Sequence, residues 1–312
     1  FVLCRTAGAM RAFRFRIPFK NPVRMKGQSY SHREGVLLER DGNWAEASPL
    51  PGFSTETIGD VIFALQEKLA PPPSLAFALS ALDDAVAEPV QVPFNFLLLG
   101  NTASVIAAAK SCSSSGCRAA KLKVGQNSLE DDVALVHQVR EILPAAIQLR
   151  LDANQAWGFE QALSFLDATK DVELEYIEEP LSEPRRLEEL YDCTQVKYAL
   201  DETLVQTGSL AAWPNAAALI CKPTFLGGRK AVERLAQTGK PIVFSAAFES
   251  GVGVARVAQL AAEFSPEVPA GLDTLDWLGE DLLVSPPEKQ NGLIAFPNPL
   301  AADESGLEII EL

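Results

Sequence analysis

Histidine is nearly missing from this chain: His32 and His137 are the only two among 312 residues. That scarcity argues against a histidine-rich metal site and against a triad centred on histidine. Basic residues are also short, 27 Lys and Arg against 41 Asp and Glu, giving a formal net charge of −14. Such a balance offers no general attraction to phosphate backbones or anionic membranes, so nucleic acid is not an expected partner. No apolar run reaches the roughly 18 residues that a membrane helix needs. Cys4, Cys112, Cys117, Cys193 and Cys221 form neither a CxxC pair nor a zinc spacing, which suits a reducing cytosol. Cys221 adjoins Lys222 but falls on the opposite strand face and reads as packing. The opening FVLCRTAGAM is too short and poorly organised for a secretory signal; Met10 reads as the natural start, with residues 1–9 as an upstream extension. A cytoplasmic protein is expected.

What the chain does have is apolar content, 47% of its residues, enough for the core of a large α/β domain with a smaller companion. From Met10 to about residue 93, alternating segments (RAFRFRIPF, GVLLERDG, NWAEASPL) precede two helical patterns, ETIGDVIFALQEKLA and LAFALSALDDAVAE, separated by PPPS. Strands followed by helices predict a small α+β unit over residues 10–93. Between two of its strands, NPVRMKGQSYSHREG is polar and charged, and reads equally as a functional loop or as a solvated hairpin end.

After residue 93 short apolar strands alternate with helical patterns: FNFLLLG, AAKLKVG, QLRLDA, LEYIEEP, YALDET, ALICKPT, PIVFSAAF and AGLDT. Eight strands with seven crossovers predict a closed parallel barrel over residues 94–280. An open doubly wound sheet is the alternative, weakened by the lack of a GxGxxG turn after the first strand. Residues 281–312 are expected to return to the small unit and complete it.

From the second strand onward a charged or hydroxyl residue stands near each C-terminal end: Lys123, Asp152, Glu178, Asp201, Lys222 and Ser245. The successive steps are 29, 26, 23, 21 and 23 residues, each about one strand-helix unit. The six therefore fall at corresponding heights around the mouth, where barrel enzymes carry catalytic groups. Asp152, Glu178 and Asp201 are consecutive in this ring. Converging carboxylates repel unless a cation or protons neutralise them, and oxygen ligands select Mg2+ or a similar ion such as Mn2+ over zinc. A lone Asp at a strand end is more often a cap or turn former, but three on consecutive strands reverse that preference. Glu178 shares parity with Tyr176 and reads as the ligand, whereas Glu179 points away or sits at the turn before Pro180.

Lysines flank the carboxylates. Lys121 and Lys123, two apart in AAKLKVG, share one strand face, and Lys222 lies across a closed barrel from them. Burial and like-charge proximity are expected to lower a lysine pKa, as proton abstraction next to a carboxylate requires, with a metal stabilising the enediolate. Arg150, two before Asp152, shares the inward face as either a structural counter-ion to the ring carboxylates or an anchor for a substrate anion.

The motifs KLK (121–123), LDAN (Asp152), IEEP (Glu178), LDET (Asp201) and CKPT (Lys222) together resemble the enolase superfamily, in particular its muconate-lactonising subgroup. That resemblance implies a modified (β/α)7β TIM-type barrel with an N-terminal α+β capping domain and a Mg2+ cofactor. LRLDANQAW, CKPTFLGG, SAAFESGVG and the final GLDT are most similar to the o-succinylbenzoate synthase family. Membership there implies dehydration of 2-succinyl-6-hydroxy-2,4-cyclohexadiene-1-carboxylate in menaquinone or phylloquinone biosynthesis, with Lys123 as base and acid, Lys222 opposite it, and Lys121 tuning Lys123. It further implies succinyl contacts from Ser245, Ser250 and Gly251, and a loop over residues 21–35 that closes on the site. A racemase or epimerase of N-acylated amino acids or dipeptides would use the same five motifs, and a cycloisomerase is a third option. A non-catalytic barrel is disfavoured because every ring member is chemically competent. A small carboxylate is the expected partner, and the chain is expected to be a monomer or a weak homo-oligomer.

Overall fold

Alternation in RAFRFRIPF sends Phe13, Phe15, Ile17 and Phe19 to one face, and all four are buried in the computed structural model, which describes residues 8–25, 27–84, 88–207 and 210–312. Most of the expected upstream extension, with Cys4, lies outside the described residues, as do Lys26 and residues 85–87 of the second helical pattern. The alternating run forms β1 (Arg11–Met25), followed by β2 (Gln28–Arg40) and β3 (Asn43–Ala47). Two helices follow, α1 (Ile58–Gln66) and α2 (Pro73–Asp83). Thr57 caps α1 by accepting the Asp60 N–H while Asp60 accepts the Thr57 N–H, which stops the helix from fraying at that end. The helices cover Ala12, Val36, Leu38, Ala45 and Ala47 on one side of the sheet, and the phenylalanines of β1 face the main core on the other. Each such phenylalanine contributes roughly 1.5–3 kcal/mol by leaving water, so burial on both sides fixes the register.

The remaining elements are β4 (Val90–Pro93), β5 (Phe96–Leu98), α3 (Thr102–Ser113), β6 (Ala119–Lys123), α4 (Leu129–Ile142), β7 (Gln148–Asp152), α5 (Phe159–Ala168) and β8 (Tyr176–Glu178). After them come α6 (Leu187–Thr194), β9 (Tyr198–Leu200), α7 (Glu202–Gln206), β10 (Ala216–Cys221), α8 (Pro223–Leu226), α9 (Arg229–Ala236), β11 (Ile242–Phe244) and α10 (Gly251–Phe264). The chain ends in β12 (Glu288–Gln290), β13 (Leu293–Phe296) and β14 (Glu308–Ile310).

Strands β5 to β11 form one parallel sheet in chain order, with neighbours joined by helical crossovers. The eighth strand is only Ala270 and Gly271, which bridge Phe94 on one side and Ser245 on the other and so close the barrel. A longer side chain would spoil this closure, because a Cβ at Gly271 would lie 2.7 Å from the Ser245 hydroxyl. The α/β barrel with an antiparallel capping sheet is thus the architecture that the strand count and the family resemblance imply. Inside the barrel Tyr176, Ala199, Ala218, Ile220 and Val243 form an apolar layer, all on the same strand parity as the polar ring above them. From the C-terminal segment, β14 pairs antiparallel with β1, while β12 and β13 join β4 in a three-stranded sheet.

The stretch expected as a loop over residues 21–35 is strand for most of its length. Val23 pairs with Tyr30, Arg24 with Ser29 and Met25 with Gln28, beyond a register shift after Pro18. It is a hairpin end, and its tip also borders the cavity described next.

Candidate active site

The parity argument places Lys121 and Lys123 on one face of β6, and the ladder sets Lys123 beside Asp152 and Asp152 beside Glu178. Asp152, Glu178 and Asp201 are each at most 1% exposed. The Lys121 ammonium stands between two of them, 2.7 Å from Asp152 Oδ2 and 2.7 Å from Glu178 Oε1. Lys123 Nζ also donates to Asp152, and across the mouth Lys222 Nζ donates to Asp201. Lys121, Lys123, Lys222, Asp152, Glu178 and Asp201, the residues expected as catalytic or metal-ligating, therefore converge.

Electrostatics in this cluster run against one expectation. Burial does act to lower Lys121, but Asp152, Glu178 and Asp201 together outweigh it and hold its pKa well above the ordinary lysine value. The same balance of burial against Asp201 raises Lys222. Carboxylates close by favour the ammonium form more than desolvation penalises it. Asp152 is held low, its burial overcome by Lys121 and Lys123. Glu178 goes the other way: burial, and then the charges of Asp152 and Asp201, raise it well above the usual carboxylate range.

Several residues outside the ring hold these groups in place. Asn154 accepts from Lys123 Nζ at 2.6 Å and donates to Glu202 Oε1 at 2.9 Å. Glu202 is buried and its other oxygen, Oε2, has no hydrogen-bond partner. Glu179 takes a left-handed backbone (φ 43) that turns its side chain outward, where it accepts the N–H groups of Asp201 and Thr203, each at 2.8 Å. It thereby fixes the turn that carries Asp201. Burial pushes the Glu179 carboxyl up to about 7. Asn154 and Glu202 carry a signal in the sequence, since each directly follows or nearly follows a ring carboxylate in LDAN and LDET, but a lone amide or second acid there also fits a turn.

Among the described residues, no three carboxylate, histidine or cysteine groups are spaced as a ready-made metal cage. The lysine ammonium groups stand against the carboxylates instead. In donor chemistry the trio does fit a hard divalent cation. It offers only oxygen, it is buried, and the repulsion that raises Glu178 is what a cation relieves.

Above the cluster opens a cavity of about 630 Å3, bordered on the barrel side by Lys121, Lys123, Lys222, Asn154 and Ser245, and on the cap side by Arg24, Met25, Leu50 and Phe53. Ser250 and Gly251, expected with Ser245 at the succinyl group, are set back from it. The Ser250 N–H and hydroxyl both donate to Glu46 of β3, and the Gly251 N–H donates to Asp281 at 2.6 Å. They bind the cap and the tail of the chain to the start of α10. Arg150 is fully buried beneath the site: it donates to Glu175 at 2.5 Å, Asn95 Oδ1 at 3.1 Å and the Pro269 carbonyl at 2.7 Å. Arg150 is a structural ion-pair residue, but its partner is Glu175 and not one of the ring carboxylates that the counter-ion reading gave it. Cys221 is buried on the other strand face, and burial pushes its thiol up, as packing requires.

Residues 104–306 match the family described as enolase C-terminal domain-like, and residues 8–84 match the MenC N-terminal domain. The chain is 30% identical over 303 residues to o-succinylbenzoate synthase of Haemophilus influenzae, covering 87% of this chain and 91% of that one. Among solved structures it superposes on the L-Ala-D/L-Glu epimerase of Bacillus subtilis with a TM-score of 0.80 at 18% identity, covering 93% and 96% of the two chains. It also superposes on o-succinylbenzoate synthase of Thermosynechococcus elongatus, solved with Mg in its active site, with a TM-score of 0.73 at 24% identity over 88% and 96%. Among the described residues no helix is long and apolar enough to cross a membrane.

Proposed function

The chain belongs to the enolase superfamily, and on that premise we propose that it works as an o-succinylbenzoate synthase. The reaction is dehydration of 2-succinyl-6-hydroxy-2,4-cyclohexadiene-1-carboxylate to 2-succinylbenzoate, in menaquinone or phylloquinone biosynthesis. The observation that carries the reading is the pair of amines, Lys123 and Lys222, facing one cavity from opposite strands with three buried carboxylates between them. The likeness to o-succinylbenzoate synthase along most of the chain supports dehydration as the chemistry.

In this reading Asp152, Glu178 and Asp201 hold Mg2+, for which Mn2+ can substitute, and the ion supplies positive charge against the substrate carboxylate when bound. Lys123, as the free amine, takes the proton from the carbon bearing that carboxylate. The Lys222 ammonium faces the negative charge that builds on the substrate from the far wall. Lys123, now protonated, gives its proton to the departing hydroxyl; the C–O bond breaks, water leaves and the ring becomes aromatic. Lys121 holds Asp152 and Glu178 in place and sets the charge around Lys123. Ser245, at the cavity wall, contacts the succinyl group.

A second reading rests on the same opposed lysines, which would also serve a racemase or epimerase of N-acylated amino acids or dipeptides as paired acid and base. Incubation in deuterated water separates the two. Dehydration of the cyclohexadiene acid is expected; exchange of the α-proton of an N-succinyl amino acid without that dehydration would overturn the choice.

A further inference from the structure

The three lysines of the cluster all lean on carboxylates that the reading above assigns to a cation, and they differ in what else holds them. Lys123 Nζ also donates to Asn154 Oδ1 at 2.6 Å, and Lys121 is shared between Asp152 and Glu178. Lys222 has Asp201 alone as an oxygen partner among the described residues. A divalent cation on Asp201 competes for that single partner, so another group must keep the ammonium at the cavity wall. The sequence supplies one three positions on. Lys222 opens α8, and its Nζ lies over the ring of Phe225, 5.7 Å from the centroid. That is close to the outer limit of about 6 Å for a cation–π contact, as expected of an ammonium drawn aside by a carboxylate. Phe225 is 6% exposed and borders the cavity.

Two ties fix this ring. The helix that carries it, α8, is a single turn of four residues, too short to stand without outside contacts. Thr224 is fully buried and its hydroxyl donates to Glu249 Oε1 at 2.5 Å. The other Glu249 oxygen accepts the Ala247 N–H at 2.5 Å, which anchors the turn to the segment after β11. From the cap, Phe53 stacks on Phe225 with centroids 6.4 Å apart and planes only 7° from parallel. A ring held in this way is already in place for a cation and gives up little freedom on receiving one.

We propose that Phe225 is a positioning residue for Lys222: its ring is the seat that keeps the Lys222 ammonium at the cavity wall when a divalent cation takes Asp201. The place of the cation at Asp201 rests on the reading above. Phe53 makes the seat depend on the cap, so the cap reaches the chemistry through an aromatic stack and not only by bordering the cavity.

The test is a calorimetric titration with MgCl2 alone, without substrate. A seat that strengthens as Asp201 is released favours the cation. Phe225→Leu, which keeps an apolar side chain and loses the ring, is therefore expected to bind Mg2+ about three- to tenfold more weakly than the parent, the scale of one cation–π contact. Phe225→Tyr keeps the ring and should keep the parent's affinity. In a Lys222→Met background no ammonium needs a seat, and Phe225→Leu should then change the affinity by less than about twofold. An unchanged affinity in Phe225→Leu overturns the proposal. So does an equal loss in both backgrounds, which would make Phe225 a packing residue. A parent that binds no Mg2+ is a different result: it overturns the cation reading itself, and the seat with it.

Discussion

Replacing Arg150 by methionine would keep the apolar stem and remove the guanidinium that spans the barrel interior. Through that group β7 is tied to Asn95 beside the first barrel strand and to Pro269 beside the eighth, and the guanidinium also stacks over the Tyr176 ring at 5.3 Å. Glu175 is 24% exposed and recovers water when its partner is lost, whereas Asn95 Oδ1 and the Pro269 carbonyl are left as buried acceptors. Two orphaned acceptors at 1–3 kcal/mol each, with a broken ion pair, give a loss of about 3–5 kcal/mol. With a urea slope of about 3 kcal/mol/M for a chain of this size, the midpoint of unfolding falls by about 1–1.7 M. Circular dichroism in urea reads the midpoint, and steady-state kinetics at low urea reads KM. A variant with the parent's midpoint and a KM raised tenfold or more would refute the argument, because Arg150 would then be holding substrate and not the barrel.

Glu179→Ala removes the acceptor of the Asp201 and Thr203 N–H groups from the turn that carries Asp201, and the expected result is a divalent-cation affinity about 10–100-fold weaker by calorimetry; an unchanged affinity contradicts the role assigned to that turn. Glu46 offers a pH test away from the cluster. Burial, opposed by hydrogen bonds from Ser250 and Ser48 and reinforced by Glu249, lifts its carboxyl from 4.5 to about 7, with Arg33 acting the other way. A raised acid binds its proton more tightly in the folded protein, so its contribution is full below pH 4.5 and is lost as pH rises through about 7. That loss is on the order of 3 kcal/mol. Denaturation at pH 5 and pH 8 should show a steeper fall for the parent than for Glu46→Gln, and equal slopes would remove Glu46 as the cause.

The ring was legible because strand parity is exact: Lys121 and Lys123 share a face whatever the packing, and the same holds for Tyr176 with Glu178. Strand-helix spacing then set the residues at one height, and the ladder pairs Lys123, Asp152 and Glu178 side by side. The residues that were harder to read depend on long-range contacts with no local pattern. Ser250 meets Glu46 across 204 positions, and Arg150 meets Pro269 across 119. The eighth strand is two bridging residues, too short for periodicity to mark, although the segment AGLDT was identified from the barrel count. Residues 21–35 read equally as a loop or as a hairpin end because the polar tip hides the alternation that pairs the stretch. Lys121 and Lys222 reverse the pKa direction expected of buried lysines for a related reason. Burial is visible in sequence, but the number of carboxylates around one ammonium is not.

The most direct measurement is loss of the cyclohexadiene absorbance at neutral pH with and without Mg2+, in the parent and in Lys123→Ala. Mg2+-dependent turnover is expected, falling by about 10²–10⁴-fold or more when the Lys123 amine is removed, with the far-UV spectrum unchanged. Turnover that survives in Lys123→Ala, or a parent that never consumes the cyclohexadiene acid with Mg2+ present, would contradict it.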